Sequence, residues 1–217
     1  MQRVPVLAPI LLVLLGCGLF VPTHVTVEPR VKLAKKTIVV VPFSDSRHAY
    51  FASPDGTELA QLIIREVRQG APKATVVELD ELRRLYGGQD LGSLGWQTVG
   101  AALGADYVLV GRINSFTLRD PRSPGFLLGN IALEVKLVMV ADGSVVLSPP
   151  RSETTYDWSE TGSPEIGTPE FDTTPEKTRQ GTLQEAARRI GDFLCPRQVT
   201  QAEAIRRQHS GGRMLSP

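Results

Sequence analysis

Apolar and polar positions alternate along this chain with two periods, and the switches between them mark out its elements. Thr37-Ile38-Val39-Val40-Val41 is a continuous β-branched run closed by Pro42, the pattern of a strand covered on both faces. Phe43 to Pro54 reads as a loop. Asp55-Gly56-Thr57-Glu58 has the form of a capping box, after which Leu59, Leu62, Ile63 and Val67 recur at helical spacing until Gly70 and Pro72. Ala74 to Leu79 predicts a second strand. Asp80 caps a short helix through Leu82 and Leu85, ended by Gly87-Gly88, and Ser93 caps another over Trp96 to Leu103, ended by Gly104. Asp106 to Ile113 predicts a third strand, extendable to Leu118.

Further on the period is two. Ile131, Leu133, Val135, Leu137 and Met139 share one face, with Glu134 and Lys136 opposite, which describes a half-buried strand. Asp142-Gly143 is a tight-turn signal. Ser144 to Leu147 starts a return strand that Thr154, Tyr156 and Trp158 resume after Pro149-Pro150. Residues 159 to 173 are polar and rich in Pro, Gly and Thr, a loop by composition. Thr182-Leu183-Gln184-Glu185 is a second capping-box pattern, followed by an apolar stripe through Ala186, Ala187, Ile190, Phe193 and Leu194 that Pro196 stops. The order β-α-β-α-α-β-β-β-α predicts an α/β protein of the α+β type, a mixed sheet with helices packed on it.

The N-terminus follows a different rule. A basic start, Met1 to Arg3, leads into an apolar run from Val4 to Leu15. That run has the length of a signal-peptide core and is too short to span ~30 Å of hydrocarbon. It ends in Leu14-Leu15-Gly16-Cys17, which resembles a bacterial lipobox, with cleavage between Gly16 and Cys17 and a diacylglyceryl group on the Cys17 sulfur. The alternative is an uncleaved membrane helix, since Gly18 to Val21 prolong the apolar stretch. The expected organisation is a signal peptide at 1–16, a lipidated cysteine and tether at 17–36, an interaction domain at 37–195 and a polar tail at 196–217. In the tail Arg197, Arg206, Arg207 and Arg213 outnumber Glu203, so it reads as a solvated tail or as a basic docking segment. Gly18, in place of an aspartate, resembles the sorting default that leads to the outer membrane and its periplasmic face.

Among 217 residues, 24 Lys and Arg face 23 Asp and Glu, so the chain has no electrostatic ground for a nucleic-acid partner. Its two cysteines exclude a dense disulfide framework and a four-cysteine zinc site. With Cys17 acylated, Cys195 stands alone on an apolar helix face and reads as a small buried hydrophobe.

Chemistry is sparse. His24, His48 and His209 lack metal-ligand spacing, so no metal and no cofactor is expected. Ser44-Asp45-Ser46-Arg47-His48 follows a buried strand, yet neighbouring residues rarely converge as a triad does; a solvated turn is the simpler reading. Gly87-Gly88-Gln89-Asp90-Leu91-Gly92 follows a helix and lacks the Gly-Lys-Ser/Thr of a phosphate loop. Tyr50 and Phe51 in the first loop, and Phe126 and Leu127 in a Pro/Gly-rich connection, are the candidate partner contacts if they do not fold back onto the core.

The strand Ile38 to Phe43, the amphipathic helix after it, Leu82-Arg83-Arg84-Leu85 and the stretch Leu103-Gly104-Ala105-Asp106-Tyr107-Val108-Leu109-Val110-Gly111-Arg112-Ile113 are similar to a group of envelope proteins. The group includes the N-terminal domain of TolB, the peptidoglycan-synthase activator LpoB and the periplasmic domain of the curli-secretion lipoprotein CsgG. The likeness covers roughly residues 37 to 195 and carries over no binding residue. It implies a protein that acts by binding or assembling and not by catalysis: a membrane-anchored periplasmic accessory module for a cell-envelope protein complex. The rival it implies is a homo-oligomeric secretion or assembly channel of the CsgG kind. Against a pore, the Arg119 to Leu128 connection is too short to add a spanning hairpin, whose strands need ~9–11 residues each.

Overall fold

The computed structural model describes residues 24–27, 29, 31–45, 48–87, 91–120, 123–146, 156–160 and 174–200. They fall into two units, a domain over Glu28–Pro196 and a separate ribbon formed by residues from the two ends of the chain. In the ribbon β1 (His24–Val27) pairs antiparallel with the strand Arg197–Thr200, with His24 opposite Thr200 and Val27 opposite Arg197. The segment read as the start of a solvated tail is therefore strand at its beginning. Val31 and Leu33, inside the stretch read as tether, are buried in the domain's core.

The domain is α+β, as the pattern predicts. β2 (Thr37–Val40) runs parallel to two neighbours at once, which is why Ile38, Val39 and Val40 are all buried. The predicted loop from Phe43 to Pro54 is instead a hairpin, β3 (Ser44–Asp45) and β4 (His48–Ala52). Helix α1 (Pro54–Gly70) begins before the expected capping box: Ser53 is its N-cap and accepts a 3.0 Å bond from the Gly56 amide, with Pro54 in the first turn. Leu59, Leu62, Ile63 and Val67 form its buried stripe as expected.

β5 (Thr75–Val76) is shorter than the predicted Ala74 to Leu79 strand, because Leu79 already opens α2 (Leu79–Tyr86) with Glu78 as N-cap. Asp80 lies in that helix's first turn, where its charge suits the dipole. Ser93 belongs to a short α3 (Leu91–Leu94), and Gly95 precedes α4 (Trp96–Ala102). Gly104, at φ +62°, ends α4 in a Schellman turn: its amide reaches Ala101 O at 3.1 Å and that of Ala105 reaches Gly100 O at 2.9 Å.

The centre of the sheet is β6 (Tyr107–Asp120), followed antiparallel by β7 (Ser123–Met139). Both outrun their predicted ends. What read as a Pro/Gly-rich connection, Arg119 to Leu128, is the distal part of one long hairpin, with Arg119 opposite Leu127 and Asp120 opposite Ser123. β8 (Tyr156–Glu160) resumes the return strand on β7, while Val145 makes only a single bridge to Val138. Helix α5 (Pro175–Leu194) starts well before the expected Thr182: Thr174 is its cap and Pro175 opens its first turn. Thr182 is interior, and its hydroxyl donates to Thr178 O at 2.7 Å. The final strand, β9, is the Arg197–Thr200 segment of the ribbon.

Among the described residues of the domain the sheet has seven strands, β6 lying between β2 and β3 on one side and β7 on the other. Successive β6 residues point to opposite faces. Val108 packs under Gly100 of α4. The opposite face carries Leu109 and Ile113, registered with Leu137 and Leu133, and there the Phe43 ring lies over Gly111. Leu133, Val135 and Leu137 are buried and Ile131 and Met139 are half-buried, as the period-two pattern requires. A brace aligns the starts of β2 and β6: Asp106 accepts from Lys36 Nζ and from the Thr37 amide, each at 2.8 Å. Those two donors hold the Asp106 carboxyl below the usual carboxylate range.

Candidate functional site

Gly16 and Cys17, on which the expected membrane attachment rests, lie outside the described residues. The candidate contact residues do not sit on loops. Tyr50 and Phe51 belong to β4, and Phe126 and Leu127 belong to β7; Leu127 is half-buried. Sequence reasoning placed them in loops because the surrounding Ser, Arg, Pro and Gly hide any alternation. In the Ser44-Asp45-Ser46-Arg47-His48 stretch, Asp45 is buried within β3, with Ile113 as its partner on β6 and His48 opposite it on β4. The solvated-turn reading fails at Asp45.

Beyond Ile113, the last β6 residue with a partner on β3, and beyond Ile131, the first β7 residue with a partner on β8, the β6–β7 hairpin continues as a two-stranded arm. Three register shifts bend it, at Ile113/Ser115, Thr117/Arg119 and Arg119/Asp120. Such bulges break up the flat exposed edge that would otherwise invite non-specific pairing.

On the Gly111 face α1 and α5 run side by side and parallel. Their N-termini are joined by Arg179, which donates to Asp55 Oδ1 and Glu58 Oε2, each at 2.6 Å, and to Glu176 of its own helix at 3.0 Å. Their C-terminal halves touch where Cys195 lies against Gly70 and Gly191 against Glu66. An open cleft of about 600 Å³ runs between them, lined by Thr57, Glu58, Gln61, Leu62, Arg65, Gln180 and Gln184 together with Pro54. None of these residues is a His, Cys or Lys. The cleft offers amides, one guanidinium and one carboxylate over an apolar patch at Leu62, an arrangement for hydrogen-bonding a polar surface. Sequence reasoning missed this cleft and the Arg179 cluster, whose members come together across as many as 124 positions. The only local signal was a single acidic residue in the first turn of each helix, Asp55 in α1 and Glu176 in α5.

Cys195 is buried, as its helix-face position predicts, and its Sγ donates to Glu66 O at 3.8 Å. Burial, reinforced by Glu66 and Asp192, pushes the thiol up to about 11. At pH 8 in a Cys17→Ser background, Cys195 is therefore expected to react with a disulfide reagent roughly a hundred-fold more slowly in the native protein than in denaturant. Reaction at equal rates would contradict its burial.

Among the described residues no group of three or more His, Cys, Asp and Glu is placed to hold a metal ion, and no helix is long and apolar enough to cross a membrane.

The fold is thus an α+β domain built on a mixed sheet, with α1 and α5 parallel on one face. No family model matches the chain, and no curated protein matches it. Among solved structures it is similar to the PelC dodecamer of Paraburkholderia phytofirmans, at 14% identity and a TM-score of 0.40 over 81% of this chain and 99% of that one. The C-terminal domain of LpoB from Salmonella enterica is similar at 17% identity and a TM-score of 0.35, over 60% of this chain and 86% of that one. A lipoprotein of Neisseria meningitidis is similar at 13% identity and a TM-score of 0.39, over 58% and 81%. No activity carries across likenesses this distant.

Proposed function

We propose that the chain is a lipid-anchored lipoprotein of the periplasm whose α+β domain binds a cell-envelope protein complex as an accessory module, with no reaction of its own. The observation that carries this reading is Leu14-Leu15-Gly16-Cys17 at the end of an apolar run of signal-peptide length. Several acyl chains on one cysteine give durable attachment, at ~0.8 kcal/mol per buried CH₂. Gly18 after the cysteine favours the outer membrane. The polar cleft between α1 and α5 supports binding over catalysis, since it presents hydrogen-bonding groups and no paired nucleophile and base.

One observation favours a second reading, a subunit of an oligomeric channel. The β6–β7 hairpin occupies the stretch that reads in the sequence as a Pro/Gly-rich connection. Its two-stranded part on β6, Thr117–Asp120, still falls short of the ~9–11 residues a membrane-spanning strand needs, so the accessory module remains the reading the geometry favours.

In-cell crosslinking of tagged protein, followed by mass spectrometry and native mass in mild detergent, separates the two. A distinct envelope complex recovered with the wild type and lost with Cys17→Ala is the expected result. Recovery of self-crosslinked rings alone would replace the accessory module by the channel. Membrane attachment unchanged in Cys17→Ala would overturn the lipoprotein reading.

A further inference from the structure

The arginines of α1 and α5 are compensated everywhere except in the cleft between the two helices. Arg179, Arg188 and Arg189 on α5 each meet a carboxylate, and on α1 Arg68 meets Glu78. Arg65 lines the cleft, is exposed, and has no ion-pair or hydrogen-bond partner among the described residues. Gln61, one turn before it, and Gln184, on the α5 side, are exposed and unpartnered in the same way. At the other end of the cleft Glu58 belongs to a group of three carboxylates around the single guanidinium of Arg179. The cleft is therefore polarised, with open positive charge at Arg65 and an excess of negative charge near the helix N-termini.

Gln61 and Arg65 stand one i,i+4 step apart, as do Gln180 and Gln184, which is about 6 Å along a helix. An extended chain turns equivalent groups to the same side every second residue, about 6.6 Å. The two rows thus match the repeat of an extended backbone, and amide side chains both donate to and accept from peptide groups. From Thr57 to Arg65 the cleft measures about 12 Å, room for about four extended residues. We propose that it holds an extended segment of a partner protein, with an aspartate or glutamate side chain of that segment paired to Arg65. Such a segment belongs to the partner of the accessory module, the reading on which this inference rests. A guanidinium holds a carboxylate in a forked pair. The carboxylates around Arg179 repel an acidic side chain from the opposite end, so charge sets the register of the bound segment.

The test uses the full chain in cells, with a photoreactive diazirine side chain in place of Thr57, which lines the cleft away from Arg65. After illumination the adduct is mapped by mass spectrometry. The expected product joins the cleft to one short segment of an envelope protein that carries an Asp or Glu within about four residues of the crosslink. Arg65→Glu is expected to lower the adduct yield about ten-fold or more while leaving the melting midpoint unchanged, since Arg65 is exposed and unpaired. Changing the partner's acidic residue to lysine is expected to lower the yield with wild-type Arg65 and to restore it with Arg65→Glu. An adduct indifferent to Arg65→Glu, a segment without an acidic residue, or no adduct at all would overturn the inference. Chemical crosslinking of the tagged wild type in the same cells reads the accessory module separately. A complex recovered there without an Arg65-dependent adduct removes the cleft as its docking site and leaves the module standing, whereas recovery of no complex removes both.

Discussion

Truncating Phe43 to alanine is expected to cost the domain about 3–5 kcal/mol, seen as a lower urea midpoint with an unchanged slope. The ring is fully buried. It occupies the short link between β2 and β3, where its backbone amide donates to Gly56 O of α1 at 3.2 Å and the ring covers Gly111 of β6. One side chain thus fixes the spacing between the first helix and the central strand. Gly111 is glycine because any Cβ there would overlap the ring. Gly111→Ala in the wild type is accordingly expected to cost about 1–3 kcal/mol by overpacking. In the Phe43→Ala background the same methyl group would enter the void the ring leaves, and the substitution should be neutral or stabilising. The double-mutant cycle is the check. Simple additivity would show that the ring does not cover Gly111. Total stability of a domain this size is about 5–15 kcal/mol, so loss of Phe43 removes a large share of it.

Arg179→Met is expected to destabilise by about 1–3 kcal/mol at pH 7, between the worth of an exposed ion pair and the cost of orphaning a buried one. Arg179 is 23% exposed, and the carboxylates it joins range from 25% for Asp55 to 59% for Glu176. Removing it leaves Asp55, Glu58 and Glu176 near one another without their shared cation, and the two helix N-termini offset only part of that repulsion. The pH dependence follows from Glu176, whose carboxyl Arg179 holds below its usual range. A depressed native pKa contributes stability above the ordinary carboxylate pKa and loses it as pH falls through the native value. The wild-type and Arg179→Met midpoints are therefore expected to differ at pH 7 and to converge as pH falls through the lowered native value of Glu176. Arg179→Lys keeps the charge without the fork, and should recover only part of the difference. A gap that stays constant from pH 7 to pH 3 would assign the effect to packing of the Arg179 stem.

How far the sequence disclosed this structure varied with the local pattern. β2 and β6 were legible because buried central strands are continuous apolar runs, and α1 because Leu59, Leu62, Ile63 and Val67 keep one period. The β3–β4 hairpin was not legible: Ser44 and Asp45 are polar, and Asp45 is nevertheless buried. Pro121, Pro124 and Gly125 disguised the distal hairpin as a connection, since proline breaks central strands yet is tolerated at strand ends and edges. Thr182 mimicked a helix cap while bonding back to Thr178 O inside α5. Leu14-Leu15-Gly16-Cys17, which resembles a lipobox, lies outside the described residues. The cleft between α1 and α5 was not legible, because its lining comes from helices distant in sequence and carries no motif.

The long β6–β7 hairpin also bears on the order in which the domain assembles. Its strands close across two intervening residues, whereas the brace that aligns β2 with β6 joins Lys36 to Asp106, 70 positions apart. Closing the longer loop costs roughly 3 kcal/mol more in chain entropy. The hairpin, marginal in isolation, is the cheapest tertiary contact the chain can form. It presents the free edge of β6 as a template for β2, and a sheet face on which α5 can pack. Substitutions within β6 and β7 should mainly alter the rate of folding, and those at the α1–α5 contact, made late, mainly the rate of unfolding.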